Sequence, residues 1–105
     1  MTADDLLVLD DPHFGPNTVA VVTGATSGIG QTTTVALAAN GLSVVGADID
    51  EDGLGETVDL AAGLGVPGTI HLVPTDLTDD RDVESMIDTA TDHGELRYVA
   101  NIAGM

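Results

Sequence analysis

Apolar residues follow two alternating patterns along the chain from residue 18 onward. Short apolar runs lack a polar face, as in strands that are covered on both sides of a sheet. Between these runs, apolar residues recur every three or four positions, which is the spacing of one buried helix face. The pattern predicts strands at residues 19–23, 42–48, 69–75 and 98–103, with one helix between each successive pair.

The first two helices have recognisable ends. The first spans residues 29–40 and ends at the pair Asn40-Gly41, a favourable C-terminal cap. The second follows an Asp50 N-cap, although Gly53 and Gly55 weaken its first turn. The predicted buried stripe of the second helix consists of Leu54, Val58, Ala61 and Ala62, and that of the third of Val83, Met86, Ile87 and Ala90.

The order of these elements predicts the fold. The third helix has Thr78 as its N-cap and closes at Gly94. Strands separated by single helices run parallel, with right-handed crossovers. We therefore expect an incomplete α/β fold over residues 18–105: a Rossmann-type doubly wound parallel sheet, first four strands in the order 3-2-1-4, with ligands at the strands' carboxyl ends. Residues 1–17 are predicted to form an irregular N-terminal arm, because prolines and a glycine interrupt any regular element there.

A glycine-rich turn joins the first strand to the first helix. Residues 23–30 read Thr-Gly-Ala-Thr-Ser-Gly-Ile-Gly. Gly24 permits a tight turn, Gly28 lets backbone approach a pyrophosphate, and Gly30 lets the helix lie close to the sheet. The helix amino terminus adds about half a positive charge facing the ligand. The candidate cofactor contacts here are Gly24, Thr26, Ser27 through its hydroxyl, Gly28, Ile29 and Gly30, and the alternative is a turn that binds nothing.

Acidic residues end the next two predicted strands. Asp48, followed by Ile49, can accept hydrogen bonds from both ribose hydroxyls of an adenosine. It would repel a 2′-phosphate, and no Lys or Arg precedes residue 81 to neutralise one, so the sequence favours NAD over NADP. Asp76 can accept from the adenine amino group while the Leu77 amide contacts the ring. The alternatives are a surface acid at position 48 and a helix-capping acid at position 76.

The fourth predicted strand ends in Asn101-Ile102-Ala103-Gly104, where small residues leave room for the nicotinamide ribose and Asn101 can bridge backbone groups between strands. The T-G-x-x-x-G-x-G turn, Asp48, Asp76-Leu77 and this segment together resemble the short-chain dehydrogenase/reductase family over nearly the whole chain after residue 17. The resemblance implies cofactor contacts at Asn101, Ala103 and Gly104. Ile102 departs from the family pattern, which has a second Asn at this position. Residues 98–105 resemble the 3-hydroxybutyrate dehydrogenase branch of the family.

The resemblance implies an NAD-dependent oxidoreductase that moves hydride between nicotinamide and a secondary alcohol or ketone. The family uses a Ser, a Tyr and a Lys for proton transfer, the last two spaced Y-x-x-x-K. This chain has no Lys, and Ile102 is the residue four positions after its single tyrosine, Tyr98. We therefore expect no catalytic residue in this chain, which would be the inactive amino-terminal part of a longer enzyme, either truncated or incomplete in sequence. A homo-oligomer is expected only of the full-length protein. The alternatives are a non-catalytic NAD-binding module and a relic that acts only as an interaction partner.

The composition is strongly acidic, with 18 Asp and Glu, two Arg and a net charge of −16. This excludes nucleic acid as a partner, because phosphate backbones need clustered Lys or Arg. With 43% apolar residues, the charge indicates a folded protein of a halophile whose folding depends on salt, and the alternative is an ordinary acidic protein.

Other residue types narrow the class further. There is no Cys, and His13, His71 and His93 are expected far apart on different elements, so we predict no metal site. The sequence shows neither a signal peptide nor a membrane span, and a cytoplasmic protein is expected.

Overall fold

The computed structural model of the protein describes residues 15–102. Its elements alternate regularly: β1 (Thr18–Thr23), α1 (Gly28–Ala39), β2 (Ser43–Asp48), α2 (Glu51–Leu64), β3 (Thr69–Pro74), α3 (Asp80–His93) and β4 (Glu95–Asn101). The four strands form one parallel sheet in the order β3-β2-β1-β4. The Rossmann-type fold and the strand order predicted from the sequence are therefore confirmed.

The pairing register brings the carboxyl ends of the strands to one edge. Thr23 at the end of β1 pairs with Ala47 of β2 on one side and with Asn101 of β4 on the other. Asp48 at the end of β2 pairs with Pro74 of β3. The residues that follow each strand consequently share this edge, where parallel α/β sheets bind ligands.

Two aliphatic layers cover the sheet. Every residue of β1 is buried, as expected for a central strand of a parallel sheet. The layer on one face joins the sheet to α1 and α2, and the layer on the other joins it to α3. The first contains Ala20, Val22, Ala25, Ala38, Leu42, Val44 and Leu54, and the second contains Val19, Val21, Val45, Ala47, Met86 and Ala90.

Several element boundaries differ by one residue from the sequence-based prediction, and two differences, at β4 and α3, have a clear physical reason. β4 begins at Glu95, three residues before the predicted start at 98, because backbone pairing with Thr18 extends through polar residues of an edge strand. α3 is capped by Asp79 rather than Thr78, and the Asp79 side chain accepts from the Arg81 amide at 2.9 Å. Thr78 instead donates to Asp76 from both its amide and its hydroxyl.

The other predicted caps are confirmed. Asp50 caps α2 and accepts from the Gly53 amide at 3.1 Å, while Asn40 and Gly94 follow the last residues of α1 and α3. Residues 1–14 of the predicted arm lie outside the described residues. Within residues 15–102, no helix is both long and apolar enough to cross a membrane.

Candidate functional site

The ends of β1, β2 and β3 surround a cleft with a volume of about 220 Å³. The cleft brings together five residues singled out from the sequence, Gly24, Asp48, Ile49, Asp76 and Leu77, and is completed by Ala47, Thr75 and Thr78. The glycine turn and the two acidic strand ends, 24 to 52 residues apart in sequence, therefore form one site.

The glycine turn is held in place by its own hydrogen bonds. Gly24 has φ of 72°, the left-handed region that glycine adopts without strain, and its amide donates to the Ala47 carbonyl at 2.9 Å. Ser27 is the N-cap of α1, since its Oγ accepts from the Gly30 amide at 3.0 Å and donates to the Gly24 carbonyl at 2.9 Å. The Ser27 hydroxyl, predicted to touch phosphate, is thus engaged in capping.

Gly30 is required by the turn rather than by the sheet. A Cβ at this position would lie 1.8 Å from the carbonyl oxygen of Gly24 and 2.9 Å from the Oγ of Ser27. The predicted close approach of the helix exists, but its partner is the glycine turn itself. The nearest obstacle to a side chain at Gly30 is therefore the turn that follows β1, and the approach of the helix to the sheet stays a prediction.

The first helical residues keep open backbone donors. In the part of the chain that the structure describes, the amides of Gly28 and Ile29 donate to no protein acceptor. A Cβ at Gly28 would meet nothing within 4 Å, and the Ile29 side chain is 63% exposed. This end of α1 can therefore receive an anion on two amides, supported by the helix dipole.

The Asp48 carboxylate is anchored by a residue of the glycine turn. Its Oδ2 accepts from the Thr26 hydroxyl at 2.7 Å and from the Thr26 amide at 3.1 Å, and its Oδ1 accepts from the Asp50 amide at 3.1 Å. Partial burial alone would raise the pKa of Asp48, but the hydrogen bonds from Thr26, Asp50 and Ile49 outweigh it and hold the pKa below its ordinary value. The side chain is therefore a carboxylate at neutral pH.

Asp76 is oriented in a similar way. Its Oδ1 accepts from the Thr78 hydroxyl at 2.6 Å and the Thr78 amide at 2.9 Å, and these bonds lower the pKa of the Asp76 carboxyl. Its own amide donates to Oδ2 of Asp82 on α3 at 2.9 Å. Leu77 is 42% exposed and Ile49 is 71% exposed, so two apolar side chains flank the cleft where a planar ring could pack.

Asn101 links β4 to β1 at the same edge. Its Oδ1 accepts from the Thr23 hydroxyl at 2.7 Å, while the Ile102 amide donates to the Thr23 carbonyl at 3.3 Å. The predicted bridge between strands thus uses the Thr23 side chain rather than two backbone groups. Ala103 and Gly104, the remaining predicted contacts, lie outside the described residues.

Sequence reasoning missed two residues that support the site. The buried Thr57 hydroxyl lies 3.0 Å from the Ala25 carbonyl and so ties α2 to the glycine turn. The signal was present, because Thr57 shares the buried face of α2 with Leu54 and Ala61. Asp82, which accepts from the Asp76 amide, had no such signal among the acids at the start of α3.

The histidine prediction needs a correction. His71 of β3 and His93 at the end of α3 stack with ring centroids 3.5 Å apart, so these two are not far apart. The sequence could not reveal this contact, because it depends on how α3 packs against the edge strand. Among the described residues, no group of three potential ligands could hold a metal ion. His13 lies outside the described residues.

Comparisons with known proteins identify the family of this chain. The short chain dehydrogenase family model matches residues 18–105. A 1-deoxy-11-beta-hydroxypentalenate dehydrogenase of Streptomyces avermitilis is 44% identical over 94 residues, which cover 89% of this chain and 34% of that protein. The chain therefore belongs to the short-chain dehydrogenase/reductase family of oxidoreductases.

Solved structures show the same fold. A short-chain type dehydrogenase/reductase from Mycobacterium ulcerans superimposes with a TM-score of 0.76 at 34% identity, covering 85% of this chain and 33% of that one. A short chain dehydrogenase/reductase from Burkholderia phymatum in complex with NAD gives a TM-score of 0.69 at 32% identity, covering 83% and 30%. The chain thus spans about a third of the length of these relatives.

Proposed function

We propose that this chain is the NAD(H)-binding part of an oxidoreductase that transfers hydride between nicotinamide and a secondary alcohol or ketone. One observation carries the proposal: the open amides of Gly28 and Ile29 lie on the same sheet edge as the hydrogen-bonded carboxylate of Asp48. The amides suit a pyrophosphate, and the carboxylate suits a ribose diol. Membership of the family and the NAD complex of the Burkholderia relative support it.

The residues present fit the adenosine half of a dinucleotide. The cleft volume of about 220 Å³ is below the roughly 300–1,000 Å³ of a pocket that encloses a whole drug-sized ligand, so it suits one ring system and its sugar. Ile49 and Leu77 would pack against the base. Both side-chain hydrogen bonds that Asp76 accepts go to Oδ1, which leaves Oδ2 to accept from the adenine amino group.

Charge favours NAD over NADP. A 2′-phosphate would lie against the ionised Asp48, and the two arginines of the chain are Arg81 on α3 and Arg97 on β4. Arg97 is paired with Glu95 at 3.2 Å. We expect NADP to bind at least about tenfold more weakly than NAD. The ribose diol of NAD can donate to Asp48, whereas the 2′-phosphate of NADP would be repelled by this carboxylate with no cation to compensate.

The residues of this chain bind and orient the cofactor but move no proton. When bound, the nicotinamide ring supplies or accepts the hydride. We expect Asn101, which accepts a hydrogen bond from Thr23, to lie on the nicotinamide side, together with Ala103 and Gly104 on the resemblance alone. Because the chain contains no Lys and no Y-x-x-x-K, we expect the chain alone to bind NAD weakly and to turn over nothing.

Calorimetric titration with NAD and NADP in molar KCl tests the proposal. Gly28→Val adds a side chain whose Cβ would meet no protein atom within 4 Å but which would occupy the position of the pyrophosphate, and Asp48→Ala removes the ribose acceptor. Both variants should lose NAD binding while circular dichroism stays unchanged. The matched control is Gly63→Val, at an exposed position of α2 where a Cβ also meets nothing. If the Gly28 and Asp48 variants bind NAD as tightly as the parent, the proposal is wrong.

The second candidate is a non-catalytic NAD-binding module, which the missing Lys favours. Both candidates bind NAD, so calorimetry does not separate them. The coding sequence beyond residue 105 does: a Ser followed by Y-x-x-x-K supports the enzyme, and a stop codon there supports the module. A chain that binds no dinucleotide at all would instead be an interaction partner only.

A further inference from the structure

Thr26 differs from the other residues of the glycine turn because its side chain donates to a carboxylate, that of Asp48 at the end of β2. Its hydroxyl donates to Oδ2 of Asp48 at 2.7 Å, and its amide donates to the same oxygen at 3.1 Å. Both of its donors are thus committed to one carboxylate oxygen. A residue placed in this way holds another site residue rather than a ligand.

The position of Thr26 is fixed from α2. A Cβ on Gly53 would lie 2.7 Å from Cβ and Cγ2 of Thr26, so the absence of a side chain at Gly53 makes room for Thr26. Next to it, the Thr57 hydroxyl lies 3.0 Å from the Ala25 carbonyl and 3.2 Å from the Gly53 carbonyl. The first turn of α2 therefore packs directly on the glycine turn and holds Thr26 against Asp48.

The carboxylate of Asp48 has about four acceptor positions, two on each oxygen. Thr26 occupies both positions on Oδ2, the Asp50 amide occupies one on Oδ1, and the Ile49 amide interacts more weakly with the same carboxylate. This arrangement fixes the rotation of the carboxylate and leaves acceptor capacity on Oδ1. A ribose hydroxyl that donates to Asp48 therefore meets a pre-oriented oxygen.

We propose that Thr26 is a positioning residue: its hydroxyl orients the Asp48 carboxylate for the adenosine ribose and couples that contact to the glycine turn that receives the pyrophosphate. This inference rests on the proposed NAD-binding function. The coupling is direct, because Thr26 immediately precedes Ser27, the N-cap of α1. Ribose recognition and phosphate recognition thus depend on one side chain that touches neither group.

The test compares Thr26→Val with Thr26→Ser. Valine keeps the methyl that packs near Gly53 and removes the hydroxyl, whereas serine keeps the hydroxyl and removes the methyl. Three readouts are measured in molar KCl: the Kd for NAD, the ratio of Kd values for 2′-deoxy-NAD and NAD, and the pKa of Asp48 by carbon-13 NMR titration. Asp76 lines the same cleft, but its side chain accepts from Thr78 and not from Thr26, so its carboxyl signal serves as the internal reference.

We expect Thr26→Val to weaken NAD binding about tenfold, the effect of one lost hydrogen bond to a charged group. The preference for NAD over its 2′-deoxy analogue should fall, and the Asp48 pKa should rise, because a donor to the charged form has been removed. Thr26→Ser should behave like the parent in all three readouts.

The outcomes separate the two proposals. If Thr26→Val matches the parent in affinity, in 2′-hydroxyl preference and in the Asp48 pKa, or if Val and Ser weaken binding equally, the positioning role is overturned. In those cases the loss of NAD binding in Gly28→Val would still support the proposed function. If the parent protein binds no NAD, the proposed function fails and this inference fails with it.

Discussion

Replacing Gly30 by alanine should destabilise the protein although it improves helix propensity. The added Cβ would lie 1.8 Å from the Gly24 carbonyl oxygen, whereas real Cβ atoms are essentially never found below 3.0 Å, so the two groups must move apart by at least about 1.2 Å. The obstacle is backbone, which cannot rotate away as a flexible side chain can. The same carbonyl accepts from the Ser27 amide and hydroxyl, so this movement also disturbs the N-cap of α1.

The expected magnitude follows from three terms. Overpacking of this kind costs about 1–3 kcal/mol. Loss of an N-cap costs about 1 kcal/mol more, and alanine returns at most about 1 kcal/mol of helix propensity relative to glycine. The net loss of about 1–3 kcal/mol should lower the Tm by roughly 4–24 °C for a domain of this size.

The assay is thermal unfolding followed by far-ultraviolet circular dichroism in molar KCl. Gly28→Ala is the matched control, since it lies two residues earlier in the same helix and its Cβ would meet nothing within 4 Å. The Gly28 variant should melt within a few degrees of the parent. The reasoning is refuted if Gly30→Ala melts as high as the parent, or if Gly28→Ala falls as far.

Three further predictions concern stability. With a net charge of −16, the parent should gain more than about 10 °C in Tm between dilute buffer and 1 M KCl, where the screening length is about 3 Å; a constant Tm across the salt series would contradict this. Burial and the facing His93 lower the pKa of His71 below 6.5 in the folded state, so the folded protein binds fewer protons than the unfolded chain. The free energy of unfolding should therefore fall as the pH drops through 6.5. Urea unfolding across a pH series measures this slope, which His93→Gln should flatten. Gly53→Ala should destabilise because its Cβ would lie 2.7 Å from Thr26, whereas Gly55→Ala on the same helix, where a Cβ meets nothing, should not; equal Tm values would rule out the packing argument.

The sequence predicted the sheet well because its strands are unambiguous. The apolar runs that end at Thr23 and Asp48 have no polar face. Such runs are typical of strands in a sheet that is covered on both sides. Single helices between the strands then force parallel pairing. The edge strand β4 was harder, because Glu95 and Arg97 are exposed and Leu96 is the single apolar residue among its first three.

The candidate site could be predicted residue by residue but not in its internal contacts. Glycine spacing pointed to Gly24, Gly28 and Gly30, yet the contact that excludes a side chain at Gly30 depends on how the turn folds back. Asp48 was singled out by its place at a strand end, whereas its partner Thr26 could be identified only once the turn and β2 were brought together. Hydrogen bonds between elements far apart in sequence carry no local pattern.

The aliphatic character of both core layers has a consequence for spectroscopy. The protein has no tryptophan and a single tyrosine, and Tyr98 lies on the edge strand β4 with 41% of its surface exposed. The fluorescence of Tyr98 therefore reports on the edge of the sheet and does not report on the core of Val, Leu and Ala side chains. Followed beside backbone ellipticity, that emission would distinguish local fraying of β4 from cooperative melting of the whole domain.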